Sequence, residues 1–334
     1  MMKKILLSHG DGGSQTHQLI REVFQTAFGD AELEQEHDAA VLPFQSGELV
    51  VSTDSFVINP VEFPGGDIGK LAVTGTINDL AVSGARPAYM SVGFILEEGL
   101  EIKLLKKIVQ SFAATAKEAG IRIVTGDTKV VERGKCDQLY INTTGIGYRE
   151  QGVQLAYHHI QPGDRVIING GIGEHAAAVL GERMGIPFTA PITSDCQLLH
   201  AVIKKIMEEF KTVRFMRDPT RGGIATTLKE IALKTTLNIV LEEERIPVKP
   251  EVRGTLELMG LDAAYMANEG KVLLIAGSQE AEALVQFLQD IPGHEMAAEI
   301  GEVTEGSGQV LLKTEFGGTR VLDMLSGEPL PRIC

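Results

Sequence analysis

Two periods of apolar residues run along the chain. Short runs rich in Val, Ile, Tyr and Thr, at 48–58, 88–96, 121–126 and 139–147, have the composition of β-strands. Between them, residues 101–120 place apolar side chains at 104, 105, 108, 112 and 116, and Gly120 supplies the stop. That spacing predicts an amphipathic helix. Pro162-Gly163 mark a turn, after which the alternation resumes. Strand 165–169, helices near 174–184, 196–210 and 222–234, strand 271–276, helix 280–290 and strand 309–314 follow. Strands and helices on both sides of one break predict an α/β (α+β) protein of two domains, 1–155 and 156–316. From 317 onward turn formers dominate, and residues 317–334 are expected to be a mobile tail.

Length agrees with this division, because 334 residues exceed one ordinary core. Hydrophobic residues at 43% and charged residues at 23% belong to a folded soluble chain, not a disordered one. No apolar run approaches the roughly 20 residues of a membrane span. The apolar stretch behind Lys3 and Lys4 is too brief for a signal peptide, so the expected location is the cytoplasm.

Charge narrows the partners. The net −14 comes from 31 Lys plus Arg against 45 Asp plus Glu. A broad nucleic-acid footprint needs the opposite sign, so nucleic acid is excluded as a partner, and a small polyanion would have to arrive with metal. Cys136, Cys196 and Cys334 contain no C-x-x-C spacing, which leaves neither a disulfide framework nor a zinc cluster.

Candidate chemistry lies at the glycine-rich turns and beside them. "HGDGG" (9–13), "FPGGDIGK" (63–70), "NGGIGEH" (169–175) and "PTRGG" (219–223) sit at strand–helix junctions, where backbone N–H groups can close on an anion. None is a P-loop, since Pro64 and Leu71 break the pattern around Lys70, and none is a G-x-G-x-x-G. Asp38, Asp54, Asp79, Asp127 and Asp218 each stand beside Gly, Thr or Asn in a turn or junction setting. They are either separate turn caps or a converging set. Two carboxylates about 5 Å apart repel by roughly 3 kcal/mol at an effective dielectric near 20, so a converging set requires a cation. Hard oxygen ligands select Mg²⁺. The chain closes on "SGEPLPRIC" (326–334), a terminal thiol behind two prolines, which is either a frayed end or a presented sulfur.

"STDSFVINPVEFPGGDIGKLAVTGTINDLAVSGARP", "VTGDTKVV" and "RDPTRGGIATTLKEIA" together resemble the ATP-binding superfamily of aminoimidazole ribonucleotide synthetase, selenophosphate synthetase and thiamine monophosphate kinase. Within it the chain is similar, nearly end to end, to the HypE family of nickel–iron hydrogenase maturation factors, the carbamoyl dehydratases. Asp11 departs from that family's pattern, which has a small hydroxyl residue there.

The resemblance implies a PurM-like fold. Its N-terminal domain would add strands to a dimer-spanning β-barrel, its C-terminal domain would be an α/β sandwich, and a flexible tail would end in the substrate cysteine, Cys334. It implies ATP and Mg²⁺ as cofactors, with Asp38, Asp54, Asp79, Asp127 and Asp218 as metal ligands. Gly126, Asp127 and Thr128 would hold metal and phosphates, and Lys70 would neutralise phosphate charge. An S-carboxamide on Cys334 would become a thiocyanate through an O-phosphorylated intermediate, with Glu269 and Lys129 as candidate bases. The implied partners are the carbamoyltransferase HypF, the iron-carrying HypC–HypD complex and a second copy of the chain. Two other readings stay open: a small-molecule kinase or synthetase of the same superfamily, and a nucleotide-gated assembly scaffold without catalysis.

Overall fold

A computed structural model describes residues 3–11, 13–31, 39–43, 46–185 and 191–325. The chain forms two compact units. One extends to residue 151, and the other takes residues 82–84 and the chain from 152 onward.

The first unit opens with helix α1 (Ser14–Leu19), which runs on through a π-helical stretch at Ile20–Gln25 and a last turn at Thr26–Phe28. Strands β1 (Glu48–Phe56), β2 (Glu62–Phe63) and β3 (Gly66–Asp67) precede helix α2 (Ile68–Val82). Strand β4 (Arg86–Glu97), helix α3 (Ile102–Glu118), strand β5 (Arg122–Val131) and strand β6 (Leu139–Arg149) complete it. Its main sheet has the order β1-β6-β4-β5. β4 and β5 are parallel neighbours linked through α3, and the other two pairings are antiparallel.

The expected amphipathic helix is α3. It buries Ile102, Leu105, Ile108, Val109, Phe112 and Ala116, and the chain leaves it through Gly120 at φ 68°. Helix α2 follows the strand–helix junction expected at 63–70, but its extent is not legible in the sequence. Ile68, Leu71, Ala72, Val73, Ile77 and Leu80 are all buried, so its apolar residues surround the axis and leave no polar stripe to reveal the period. Its start is fixed by Asp67, whose Oδ1 accepts from the backbone N–H of Gly69 at 2.8 Å and Lys70 at 2.9 Å. Gly145 on β6 lets α2 lie against the sheet: a Cβ there would stand 2.7 Å from Thr76 and 2.9 Å from Leu80.

The second unit contains strand β7 (Arg165–Ile168) and helices α4 (Glu174–Met184) and α5 (His200–Glu209). Strand β8 (Val213–Arg217), helix α6 (Gly223–Thr235), strand β9 (Asn238–Glu242) and helix α7 (Pro250–Leu258) come next. Strand β10 (Leu273–Ala276), helix α8 (Ser278–Gln289) and strands β11 (Ala298–Thr304), β12 (Val310–Lys313) and β13 (Thr319–Leu322) finish it. The seven-stranded order is β13-β12-β9-β11-β7-β10-β8. Its core joins Val166, Ile168, Leu273 and Ile275 from central strands to Ile224, Leu228 and Ile231 from α6.

β13 corrects one expectation. The segment read as free from residue 317 is still paired with β12 from Thr319 to Leu322, and Leu322 is buried. A β-branched alternation at Thr319 and Val321, with one apolar anchor behind it, suffices to hold this edge strand. Residues 326–334 lie outside the described residues. Among the described residues no helix is long and apolar enough to cross a membrane.

Asp67→Ala removes the acceptor that starts α2 and is expected to cost about 1 kcal/mol, whereas Asp67→Asn retains most of the cap. Chemical denaturation of the three proteins, followed by far-ultraviolet circular dichroism, measures the difference.

Candidate functional site

In the first unit, alternation along β1 sends Ser52, Asp54 and Phe56 to the side covered by α2, while Leu49 and Val51 point away at 54% and 57% exposure. Thr76 and Asp79, three apart on α2, share the helix face that meets them. Ser52 Oγ donates to Asp79 Oδ2 at 2.6 Å, and Thr76 Oγ1 donates to Asp54 Oδ2 at 2.9 Å. Thr76 has one hydroxyl proton and gives it to a carboxylate. The 2.6 Å contact between Thr76 and Thr143 therefore runs from Thr143 to Thr76. A strand, a helix and the neighbouring strand β6 thus fix two half-buried carboxylates with hydroxyl donors.

On β5, at the opposite edge of the sheet, Gly126-Asp127-Thr128-Lys129 form an exposed strip. Asp127 Oδ1 accepts from the Thr128 N–H at 2.8 Å, and Lys129 Nζ stands 3.2 Å from the same carboxylate. The strip borders a cavity of about 310 Å³ whose apolar wall is Ile20, Phe24, Phe28 and Phe94. Phe24 and Phe94 pack with ring centroids 4.9 Å apart.

The expected ligands are therefore divided. Asp54 and Asp79 share one face, but three strand spacings, about 14 Å, separate β1 from β5, so Asp127 does not join them within one copy. Lys70 is nine residues from Asp79 along α2, about 13 Å of helix, and its ammonium donates to Gly65 O at 3.0 Å. Asp38 and Cys334 lie outside the described residues. Among the described residues no three His, Cys, Asp or Glu side chains gather into a metal-binding group.

The second unit holds Asp218 and Glu269. Asp218 follows β8 directly and is half-buried, in the loop that leads to α6. Glu269 is buried in the turn before β10. Asn268 ties the two segments together. Its Nδ2 donates to Pro219 O at 3.0 Å and to Met266 O at 2.9 Å, and its Oδ1 accepts from the Gly173 N–H at 2.8 Å.

Beneath this turn is an ionic network that the sequence did not reveal. Lys271 Nζ lies 2.9 Å from Glu174 Oε2 and 3.1 Å from Asp195 Oδ2, and Lys249 Nζ lies 2.7 Å from Glu174 Oε1. Burial opposes the charge on Asp195, but the Lys271 ammonium, His175 and the Glu269 N–H outweigh it and hold the carboxyl below its ordinary 3.8. Burial likewise opposes the charge on Lys271, and Asp195 with Glu174 pushes it above its ordinary 10.5. Both groups are ionised at neutral pH.

Residues 36–148 match the family described as AIR synthase related protein, N-terminal domain, and residues 161–313 match its C-terminal domain. The carbamoyl dehydratase HypE of Azotobacter vinelandii is 47% identical over 327 residues, which span 98% of this chain and 96% of that protein. A solved structure of the hydrogenase maturation protein HypE in complex with ATP superposes with a TM-score of 0.95 at 45% identity, covering 98% of this chain and 99% of that one. A solved HypE–HypF complex contains a chain that superposes with a TM-score of 0.80 at 43% identity, covering 92% of this chain and 99% of that one.

Lys271→Met leaves Glu174 and Asp195 with one fewer buried cation and is expected to destabilise the protein by about 3–5 kcal/mol at neutral pH. The depressed Asp195 pKa contributes stability above the ordinary 3.8 that is lost as pH falls through the native value. The gap between wild type and Lys271→Met should therefore narrow in acid, as measured by denaturation midpoints from pH 7 downward.

Proposed function

Because the chain belongs to the AIR synthase related family, and within it to the HypE carbamoyl dehydratases, we propose that it dehydrates an S-carboxamide carried on its own Cys334 to a thiocyanate at the expense of ATP. The product would supply the cyanide ligands of a nickel–iron hydrogenase. The observation that carries this reading is the pair Asp54 and Asp79, fixed by hydroxyl donors on one face of a sheet in a chain that matches an ATP-bound HypE over nearly its whole length.

The amide oxygen is a poor leaving group. In the proposed reaction it attacks the γ-phosphorus of ATP, ADP departs, the nitrogen gives up the first of its two protons to solvent, and an O-phosphorylated imidate forms on the sulfur of Cys334. An N–H proton then goes to a base, the C–N bond becomes triple, and phosphate leaves with the former amide oxygen. Positioning and charge neutralisation dominate the protein's share of such a transfer. Glu269 is the proposed base, and Lys129, beside the Gly126-Asp127-Thr128 strip, is the second candidate for proton transfer. Thr128 and Lys70 would engage the phosphates.

The donor set suits Mg²⁺. Carboxylates and hydroxyls are hard ligands, and Mg²⁺ is commonly held by one or two carboxylates together with substrate phosphates. Asp54 and Asp79 would hold it, with Asp38, Asp127 and Asp218 completing the set. When bound, the ion supplies charge neutralisation at the triphosphate.

A second copy of the chain belongs to the proposal. Asp54–Asp79 and Asp127–Lys129 occupy opposite edges of one sheet, whose outer face exposes Leu49 and Val51. A two-fold partner would bring one copy's β5 strip to the other copy's β1 edge. A dimer-spanning barrel is the arrangement that does this. The carbamoyl group would come from HypF, a HypE partner in a solved complex, and the cyano group would pass to HypC–HypD iron, all in the cytoplasm.

Mass spectrometry of the C-terminal peptide tests the chemistry. After carbamoyl loading by HypF, addition of ATP should remove one water from Cys334, and Glu269→Gln should slow that loss to a small residual rate while still binding ATP. Retention of the water by the wild-type protein with ATP would sink the proposal. The shared site has its own test. Asp54→Asn and Asp127→Asn are each expected to be inactive alone, while an exchanged equimolar mixture recovers about a quarter of the wild-type rate, since half the dimers are hybrids with one intact site of two.

A further inference from the structure

A base works only within hydrogen-bond reach of the proton it removes, so Glu269 requires a fixed backbone as well as the right side chain. The turn that carries it is held in an unusual way. The N–H groups of Glu269 and Gly270 both point at one carboxylate, Asp195, at 3.1 Å to Oδ1 and 3.2 Å to Oδ2. Asp195 comes from a distant part of the chain, 74 residues before Glu269. The approach is close enough to demand glycine at the next position: a Cβ on Gly270 would stand 1.9 Å from Asp195 O. The carbonyl of Gly270 is held in turn by Asn169 Nδ2 at 3.3 Å and Gln197 Nε2 at 3.0 Å.

The charges around this clamp balance. Asp195 and Glu174 are the anions, Lys271 and Lys249 the cations. Glu174 is shared between both ammonium groups, so Asp195 completes the charge balance. Asp195 does something Glu174 does not, which is to bond the two backbone N–H groups at Glu269.

We propose that Asp195, oriented by Lys271, is the positioning residue for Glu269. It acts through the backbone of the 268–271 turn and has no contact with substrate. The proposal rests on the reading of Glu269 as the base. Asp195→Asn keeps the shape of the side chain but turns an NH₂ group toward one of the two N–H donors. Asp195→Asn combined with Lys271→Gln makes the same change without leaving a buried ammonium short of a partner.

The test is single-turnover loss of water from carbamoylated Cys334 with ATP in excess, measured on the full-length protein. In both variants the rate should fall on the order of 100-fold, the cost of a misplaced catalytic group, while the KM for ATP stays unchanged. Added to Glu269→Gln, neither variant should slow the reaction further, because the residue it positions no longer accepts a proton. Losses that multiply in the combined variants overturn the proposal, as does a wild-type rate in folded Asp195→Asn/Lys271→Gln. Glu269→Gln at full rate refutes the base assignment itself, and that outcome is read without any Asp195 variant.

Discussion

One buried ammonium organises the second unit. Lys271 sits between Glu174, at the first position of a helix, and Asp195, in a stretch without regular structure, and so joins segments that share no sheet or helix. Its cost is desolvation of a cation and two anions, which only close geometry and additional hydrogen bonds offset. Those bonds are present in the backbone N–H groups of Glu269 and Gly270. The network therefore does more than balance charge: it sets the course of the chain immediately before β10. Asn268 extends the same control to the loop behind Asp218 through Pro219 O.

The first unit relies on a different device, directed hydroxyls at a sheet–helix interface. Gly145 admits α2 so close to β6 that Thr76 can reach Asp54, and Thr143 orients Thr76. Hydroxyl donors from Ser52 and Thr76 orient the carboxylates of Asp79 and Asp54 toward one face. Lys129 behaves otherwise: it pairs with Asp127 at the surface, where such pairs contribute little to stability, so little is lost when the pair opens.

The elements that were legible from the residues alone are those whose pattern is local. β1, β4, β5 and β6 declare themselves by β-branched and aromatic composition, and α3 by a one-sided apolar period. The extent of α2 was not legible because burial on every side erases that period. β8, β9 and β11 were not read as strands, and β13 was hidden behind the glycines that precede it. Glu269 and the Gly126–Lys129 strip entered through family likeness to recognisable motifs. Asp195 and Glu174 had no such signal, because their roles depend on pairings across more than seventy positions that no short window contains.

The bare outer face of the N-terminal sheet has a consequence for dosage. Leu49 and Val51 are exposed in a lone copy, and the two-copy site proposed above would be incomplete there. Output from such a catalyst would rise with the square of its abundance while copies are scarce and become proportional once association saturates. A maturation factor built this way would stay silent at trace expression and switch on over a narrow range of synthesis, with no dedicated regulator.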